Sequence, residues 1–321
     1  MSASVLSLQL AKGYWITMRP YLLFVSGVTG IAGLSFAPQL SLPETAILFL
    51  VFFFSYGFGQ ALTDCFQTDT DAISSPYRPL VQGEISKIHV LVVSLICLSA
   101  CGIILGLFSI VSLLLAMLCT FGLSTYTFFK RRWWGGPFYN GWIVAVLFLI
   151  GYYSGLKNSS VNFTSQILVT LVSVLFGYAN FVLVGYYKDV TADRKTGYNT
   201  FVVVFGRKAA AIVSDIFALV FVVCGIVGFV LSANVNDTIL LLLSVTCLLT
   251  AVITSAYTQV QLHKVTNDTD AHRAVSPSVH TYILMFCAIA SINKPEWMLA
   301  MILFYLGFVI TLNMRPEKSQ I

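Results

Sequence analysis

Long apolar runs, separated by short polar segments, repeat along the whole of this 321-residue chain. Each is about as long as a helix that crosses the hydrocarbon of a bilayer, roughly 20 residues. Ten runs predict ten membrane helices, over residues 15–36, 44–63, 88–108, 109–129, 138–156, 166–187, 208–232, 237–258, 275–291 and 295–314. The ninth run is short and the turn at "INKPEW" that follows it is tight, which leaves nine as the alternative count. No soluble domain or low-complexity stretch interrupts the series, so residues 1–321 read as one transmembrane domain.

Composition agrees with the pattern. Of the residues, 58% are hydrophobic and 10% charged, where a soluble domain carries roughly 25% charged residues. The fold class is therefore an all-α integral membrane protein, a bundle of about nine to ten transmembrane helices. Lysine and arginine predict its orientation, because they concentrate in cytoplasmic loops. With the N-terminus cytoplasmic, only Lys157 and Lys294 fall on the outer side. The other sixteen lie in the N-terminal segment, in the even-numbered connections or in the tail with Arg315 and Lys318. An even number of spans returns that basic tail to the inside, which favours ten. The net charge of +5 is thus a topology signal, and no water-soluble basic face suited to nucleic acid is evident.

The start, "MSASVLSLQLAKGYW", lacks the basic region and cleavage site of a signal peptide, so the first span is expected to direct insertion. Seven cysteines are scattered, nearly all inside apolar runs, and read as small buried hydrophobes. Histidines 89, 263, 272 and 280 have no ligand spacing and read as polar residues near helix ends. Trp133 and Trp134 read as interface anchors. "KNSSVNFT" offers two sequons, at Asn158 and Asn162.

Acidic residues are the informative exception. "LTDCFQTDTDAISSPYRPL", residues 62–80, puts Asp64, Asp69 and Asp71 at the foot of the second run. "GYYKDVTADRKTGYNTF", residues 185–201, puts Asp189 and Asp193 at the foot of the sixth. With Glu84 these make six of the thirteen acidic residues, all leaving even-numbered spans and hence on one side of the membrane. Asp189 and Asp193, spaced i, i+4, share a face if the helix continues, and so do Asp64 and Asp71, with Gln67 between them. Carboxylates gathered at a membrane interface need a counter-charge. Lys188, Arg194 and Arg78 are near in sequence, and Mg²⁺ fits better, because it takes one or two carboxylates together with water and substrate phosphate oxygens.

These segments resemble the signatures of the UbiA superfamily of intramembrane prenyltransferases. The first signature reads N-D-x-x-D-x-x-x-D followed by R-P-L and G-x-I-S; here stand "TDCFQTDTD" and "AISSPYRPLVQGEIS". The second, D-x-x-x-D with G-x-x-T, is matched by Asp189, Asp193, Gly197 and Thr200. Arg19 in "MRPY", Tyr126 and Lys130 in "YTFFKRR", and Asn140 also match, so the resemblance covers roughly residues 15–291. Three features depart from the family: Thr63 replaces the leading asparagine, Gln67 replaces the central aspartate, and a tenth span is added to the usual nine.

The resemblance implies an isoprenoid diphosphate whose tail lies among the apolar spans and whose head sits at the acids. It implies Mg²⁺ held by Asp64, Asp69, Asp71, Asp189 and Asp193 as Lewis acid on the leaving group. Arg19, Arg78, Lys130, Lys188 and Arg194, with Thr63 and Gln67, are expected around the diphosphate. Asp64, Asp71, Asp189, Asp193 and Tyr126 are the expected catalytic residues. Aromatic faces attract cations, and Tyr126, Phe128, Tyr186 and Tyr187 lie beside the motifs. The allylic cation is captured either by a lipophilic, aromatic acceptor, in a prenyltransferase, or by a double bond of its own chain, in a terpene cyclase that needs no acceptor. A non-catalytic transporter or lipid-binding relative is a third reading, for which Asp215 is the only mid-span acid.

Overall fold

The computed structural model describes residues 3–157, 160–233 and 237–315. The sequon at Asn158 and the tail residue Lys318 lie outside the described residues. Among the described residues there are thirteen α-helices and no strand. They are α1 (Ala3–Met18), α2 (Leu23–Ser35), α3 (Leu42–Asp64), α4 (Thr68–Ser74), α5 (Lys87–Phe108), α6 (Ile110–Lys130) and α7 (Gly136–Leu156). After them come α8 (Ser165–Gly185), α9 (Val190–Thr196), α10 (Phe201–Ser232), α11 (Thr238–Lys264), α12 (His272–Asn293) and α13 (Met298–Asn313). Nine helical stretches among the described residues are long and apolar enough to cross a membrane, and a tenth apolar one, Pro20–Ser35, is shorter.

That tenth stretch corrects the first predicted span. Residues 15–36 are not one helix: α1 ends at Met18, Arg19 adopts φ 52°, and the chain restarts through Pro20. Proline lacks the N–H a continuing helix needs and keeps its predecessor out of the α region. The break turns α1 aside, so that Tyr14 and Met18 pack with Ala61, Cys65, Ile85 and Val90 at the ends of α3 and α5. The other runs match their predicted helices closely, although α10 begins earlier, with a break at Gly206.

Local chemistry accounts for several ends. Glu44 accepts from both the backbone N–H and the hydroxyl of Ser41, closing a capping box at the start of α3. Asp237 accepts from the N–H groups of Ile239 and Leu240 to cap α11. Helices α2 and α12 occupy the centre, and every residue of α2 is buried. Helix α2 packs on α3, α7 and α12, while α12 also meets α8, α10, α11 and α13. The α2–α7 crossing is backbone to backbone: a methyl group added at Gly33 would overlap the carbonyl oxygen of Phe148, and one at Gly151 that of Gly30. Small residues permit this approach, on which helix association in lipid depends. The seven cysteines are free thiols.

Because successive long helices run antiparallel, the connections 65–86, 131–135, 189–200 and 265–271 all fall at one end of the bundle. The opposite end is tied by the Lys157–Glu44 ion pair at 2.5 Å.

Candidate active site

The first acidic segment is not one helix. Helix α3 ends at Asp64 and α4 starts at Thr68, so it is Arg78 rather than helix register that brings Asp64 and Asp71 together. Arg78 is ion-paired with Asp71, and its Nη1 lies 3.8 Å from Asp64. Arg19 Nη2 donates to both Asp64 oxygens at 2.9 Å, and Gln60 Nε2 donates to Oδ1 at 2.6 Å. The left-handed backbone of Arg19, uncommon for a residue with a side chain, belongs to the break that aims its guanidinium at Asp64. Lys130, at the end of α6, donates to Gln67 Oε1 at 2.8 Å. Thr63 spends its hydroxyl on the carbonyl of Gln60.

The second segment arrives through a 3-10 turn, Tyr186–Lys188, that breaks α8 from α9. Asp189 lines the cavity described below. Asp193, fully buried, sits behind it, accepting from Thr70 at 3.2 Å and from Thr200 at 3.4 Å. Burial pushes the Asp193 carboxyl up to about 7, with Asp189 adding to the effect and Lys130 opposing it. Burial also raises Asp71, although Arg78 works against it. At Asp189 burial is outweighed by Lys188, Lys130 and Arg78, which hold its carboxyl below the usual range.

These groups close one end of a cavity enclosing about 1360 Å³, its open mouth included. Four cations, Arg19, Arg78, Lys130 and Lys188, and three carboxylates, Asp64, Asp71 and Asp189, line it. The acids are therefore already countered by arginine and lysine, with one positive charge to spare for an anion. Below them the walls turn apolar, with residues of α3, α5, α6 and α7 such as Phe52, Leu105, Leu147 and Ile150. Lys130 and Ala116, fourteen positions apart on α6, both line it, so it reaches about 20 Å along the helix. The cavity thus pairs a charged mouth with an apolar tube.

Tyr126, Asn140 and Tyr186 stand at the boundary between the two zones, with the Tyr126 and Tyr186 hydroxyls 2.9 Å apart and Lys130 Nζ 5.6 Å from the Tyr186 ring. Five residues singled out from the sequence lie elsewhere. Asp69 pairs at the surface with Arg131 at 2.9 Å and accepts from Tyr198 at 3.0 Å, tying α4 to the connections that follow α6 and α9. Arg194 is exposed and does not line the cavity. Phe128 is exposed beneath the Arg132 guanidinium, and the buried Tyr187 donates to the Arg207 carbonyl. Asp215 pairs with His263 at 2.8 Å on a half-exposed face. Gln60, Tyr56 and Tyr178 line the cavity without having been singled out from sequence. The i, i+4, i+7 recurrence of Gln60, Asp64 and Gln67 along an apolar run was the available signal for Gln60; the tyrosines carried none.

The UbiA prenyltransferase family description matches residues 23–276 of the chain. A digeranylgeranylglyceryl phosphate synthase of Thermococcus kodakarensis is 30% identical over 217 residues, 66% of this chain and 76% of that protein. The enzyme of the same name from Pyrococcus furiosus is 25% identical over 232 residues, covering the same shares, 66% and 76%. Among solved structures, a UbiA homologue from Archaeoglobus fulgidus bound to DMAPP and Mg²⁺ superposes with a TM-score of 0.66 at 16% identity, covering 88% of this chain and 99% of that one. An apo UbiA homologue from Aeropyrum pernix gives 0.67 at 16% identity, covering 81% and 94%. The structures bear on the fold, and the family match spans most of the helical bundle. This chain is a multi-pass membrane protein belonging to the UbiA prenyltransferase family.

Proposed function

We propose that the protein cleaves an isoprenoid diphosphate at the charged mouth of its cavity and transfers the prenyl group to a lipophilic acceptor. The observation that carries this reading is the division of one cavity into a cation-rich end and an apolar tube about 20 Å deep. In this reading Arg19, Arg78, Lys130 and Lys188 bind the diphosphate and neutralise the charge that grows as the allylic C–O bond breaks. The tail lies along α3, α5, α6 and α7, which orients its first carbon toward Tyr126, Asn140 and Tyr186. The apolar walls exclude water, so the allylic cation meets the acceptor and is not quenched, while the tyrosine faces attract its charge.

The carboxylates suit a divalent cation. Asp64, Asp71 and Asp189 offer oxygen donors only, which matches a hard ion, and Asp193 stands one turn behind Asp189. Among the described residues no three such groups converge, so substrate oxygens and water would complete the shell of an ion such as Mg²⁺. When bound, Mg²⁺ supplies Lewis-acid stabilisation of the leaving diphosphate.

The test is incubation of purified protein with Mg²⁺ and prenyl diphosphates of several lengths, with and without acceptor. The acceptor panel holds an aromatic compound and a prenylated glyceryl phosphate, the latter of the kind the archaeal relatives are named for making. Prenylated product and pyrophosphate only in the presence of an acceptor is the expected result. Cyclic hydrocarbon without acceptor would replace transfer by cyclisation, and no turnover under any condition would remove the enzymatic reading.

Gln67 gives a graded test of the same site. Gln67→Ala removes the acceptor for Lys130, a bond to a charged group of about 1.5–3 kcal/mol, and should raise the KM for prenyl diphosphate by about tenfold. Gln67→Asp should fold, because Lys130 faces the new carboxylate, and should lower the Mg²⁺ concentration needed for half-maximal rate. A Mg²⁺ titration of both variants checks this. We further read the chain as one domain with both termini and the acidic connections on the cytoplasmic side, from the partition of its basic residues. Labelling of the two termini on opposite faces of sealed vesicles would overturn that orientation.

A further inference from the structure

Asp189 stands directly before Val190, the first residue of α9. An aspartate in that place ordinarily turns its carboxylate onto its own helix and accepts the second or third N–H. Here its side chain makes no such bond, and it lines the cavity instead. The N–H of Thr191, the second of α9, is donated to Asp268 Oδ2 at 2.8 Å. Asp268 belongs to "VTNDTDAHR", a third acid-bearing connection, between α11 and α12, far from Asp189 in sequence. Its other oxygen is paired with Arg207 Nη2. Arg207 is itself held, because its carbonyl accepts from Tyr187 Oη at 2.6 Å and it follows Gly206, whose φ of 79° breaks α10. Tyr187 is the middle residue of the 3-10 turn that leads into Asp189, so the bonds form a closed circuit around the second acidic segment.

We propose that Asp268, oriented by Arg207, is a positioning residue for the reaction: it satisfies α9 from outside and so leaves the Asp189 carboxylate free to face the diphosphate end of the cavity. The inference rests on the reading of that end as the diphosphate site. Without Asp268 the unpaired Thr191 N–H has the Asp189 carboxylate as its nearest natural acceptor, and each time Asp189 turns to it the site loses a negative charge. Asparagine caps about as well as aspartate, and alanine does not, which separates the capping role from the charge.

The experiment uses full-length wild type, Asp268→Ala, Asp268→Asn and Arg207→Gln in detergent, each checked by its melting temperature. Mn²⁺ binding in the presence of inorganic pyrophosphate is read by electron paramagnetic resonance, and the Mg²⁺ dependence of prenyl transfer is read alongside. Asp268→Ala is expected to weaken Mn²⁺ binding and raise the Mg²⁺ half-saturation by about 3- to 30-fold, the span of a lost cap. Asp268→Asn keeps one oxygen for the Thr191 N–H but presents its NH2 to Arg207, so a loss of about threefold, well short of the alanine variant, is expected. Arg207→Gln keeps the capping carboxylate but loosens it; a loss of about threefold is expected, and this variant decides the matter if Asp268→Ala does not fold. Wild-type Mn²⁺ binding in Asp268→Ala, a wild-type value for Arg207→Gln in its place, or an asparagine variant as impaired as the alanine one overturns the proposal. If the wild type itself binds no Mn²⁺ with pyrophosphate, the diphosphate reading falls and takes this one with it; if the wild type binds and turns over, only the role of Asp268 is at stake.

Discussion

Replacing Arg78 with alanine is expected to abolish prenyl transfer and to lower the melting temperature more than any other single change at the site. Arg78 is the ion-pair partner of Asp71 and also lies within 3.8 Å of Asp64, with little of any of the three side chains exposed. Removing one member of a buried pair leaves the other charge uncompensated, at a cost of about 3–5 kcal/mol. Asp64 retains Arg19 and Gln60, so the loss falls on Asp71. Its carboxyl is already raised by burial even with Arg78 present, and without that arginine it takes up a proton in the folded state. The unfolded chain releases that proton above about pH 3.9, so the stability deficit of the variant should grow as the pH rises from 5 to 8. Thermal denaturation of wild type and Arg78→Ala in detergent at those two pH values checks the sign. A deficit that shrinks with rising pH would mean that Asp71 is not the group left bare.

Asp189→Asn should cut turnover heavily while leaving the protein folded. The substitution keeps the shape of the side chain and removes its charge from the cavity wall that also carries Lys188 and Lys130. Losing one electrostatic contact to the developing charge typically costs about 10²–10³-fold in rate. Lys188, Lys130 and Arg78 stabilise the charged Asp189 carboxylate, so the melting temperature should also fall, by less than in Arg78→Ala, because the side chain keeps its shape. The measurement is transfer of radiolabelled prenyl group at saturating Mg²⁺, beside a melting curve of the same preparation. Retention of more than about a tenth of the wild-type rate, a barrier change of less than about 1.4 kcal/mol, would remove Asp189 from the reaction.

The bundle was legible in the chain because lipid leaves the backbone few choices. A run of about 20 apolar residues in hydrocarbon must satisfy its own N–H and C=O groups, and a helix does so within the segment. Among the described residues, nine helical stretches and the shorter Pro20–Ser35 accordingly answer the ten predicted runs. The break at Arg19 was written in "MRPY" as a proline, yet hydrophobicity alone read through it, because Leu22 to Leu34 continue as apolar as before. The acidic segments stood out for the opposite reason: charge is so costly near hydrocarbon that its mere presence is a signal.

The chain by itself therefore determined the solvent, the helices, the family signatures and the end of the bundle where the acidic segments gather, because each depends on local composition or short spacing. Only the tertiary structure decided which charges meet. Asp64 and Asp71 are joined by Arg78 and not by a shared helix face, since α3 ends between them. Asp189 lines the cavity while Asp193, four residues on, is turned to Thr70 and Thr200. Asp69 and Arg194, inside the same motifs, point elsewhere. Asp268, outside every motif, reaches the second segment from across the bundle. Ion pairs and hydrogen bonds act over about 3 Å, a distance that helix packing sets between residues far apart in sequence, and no spacing along the chain encodes it.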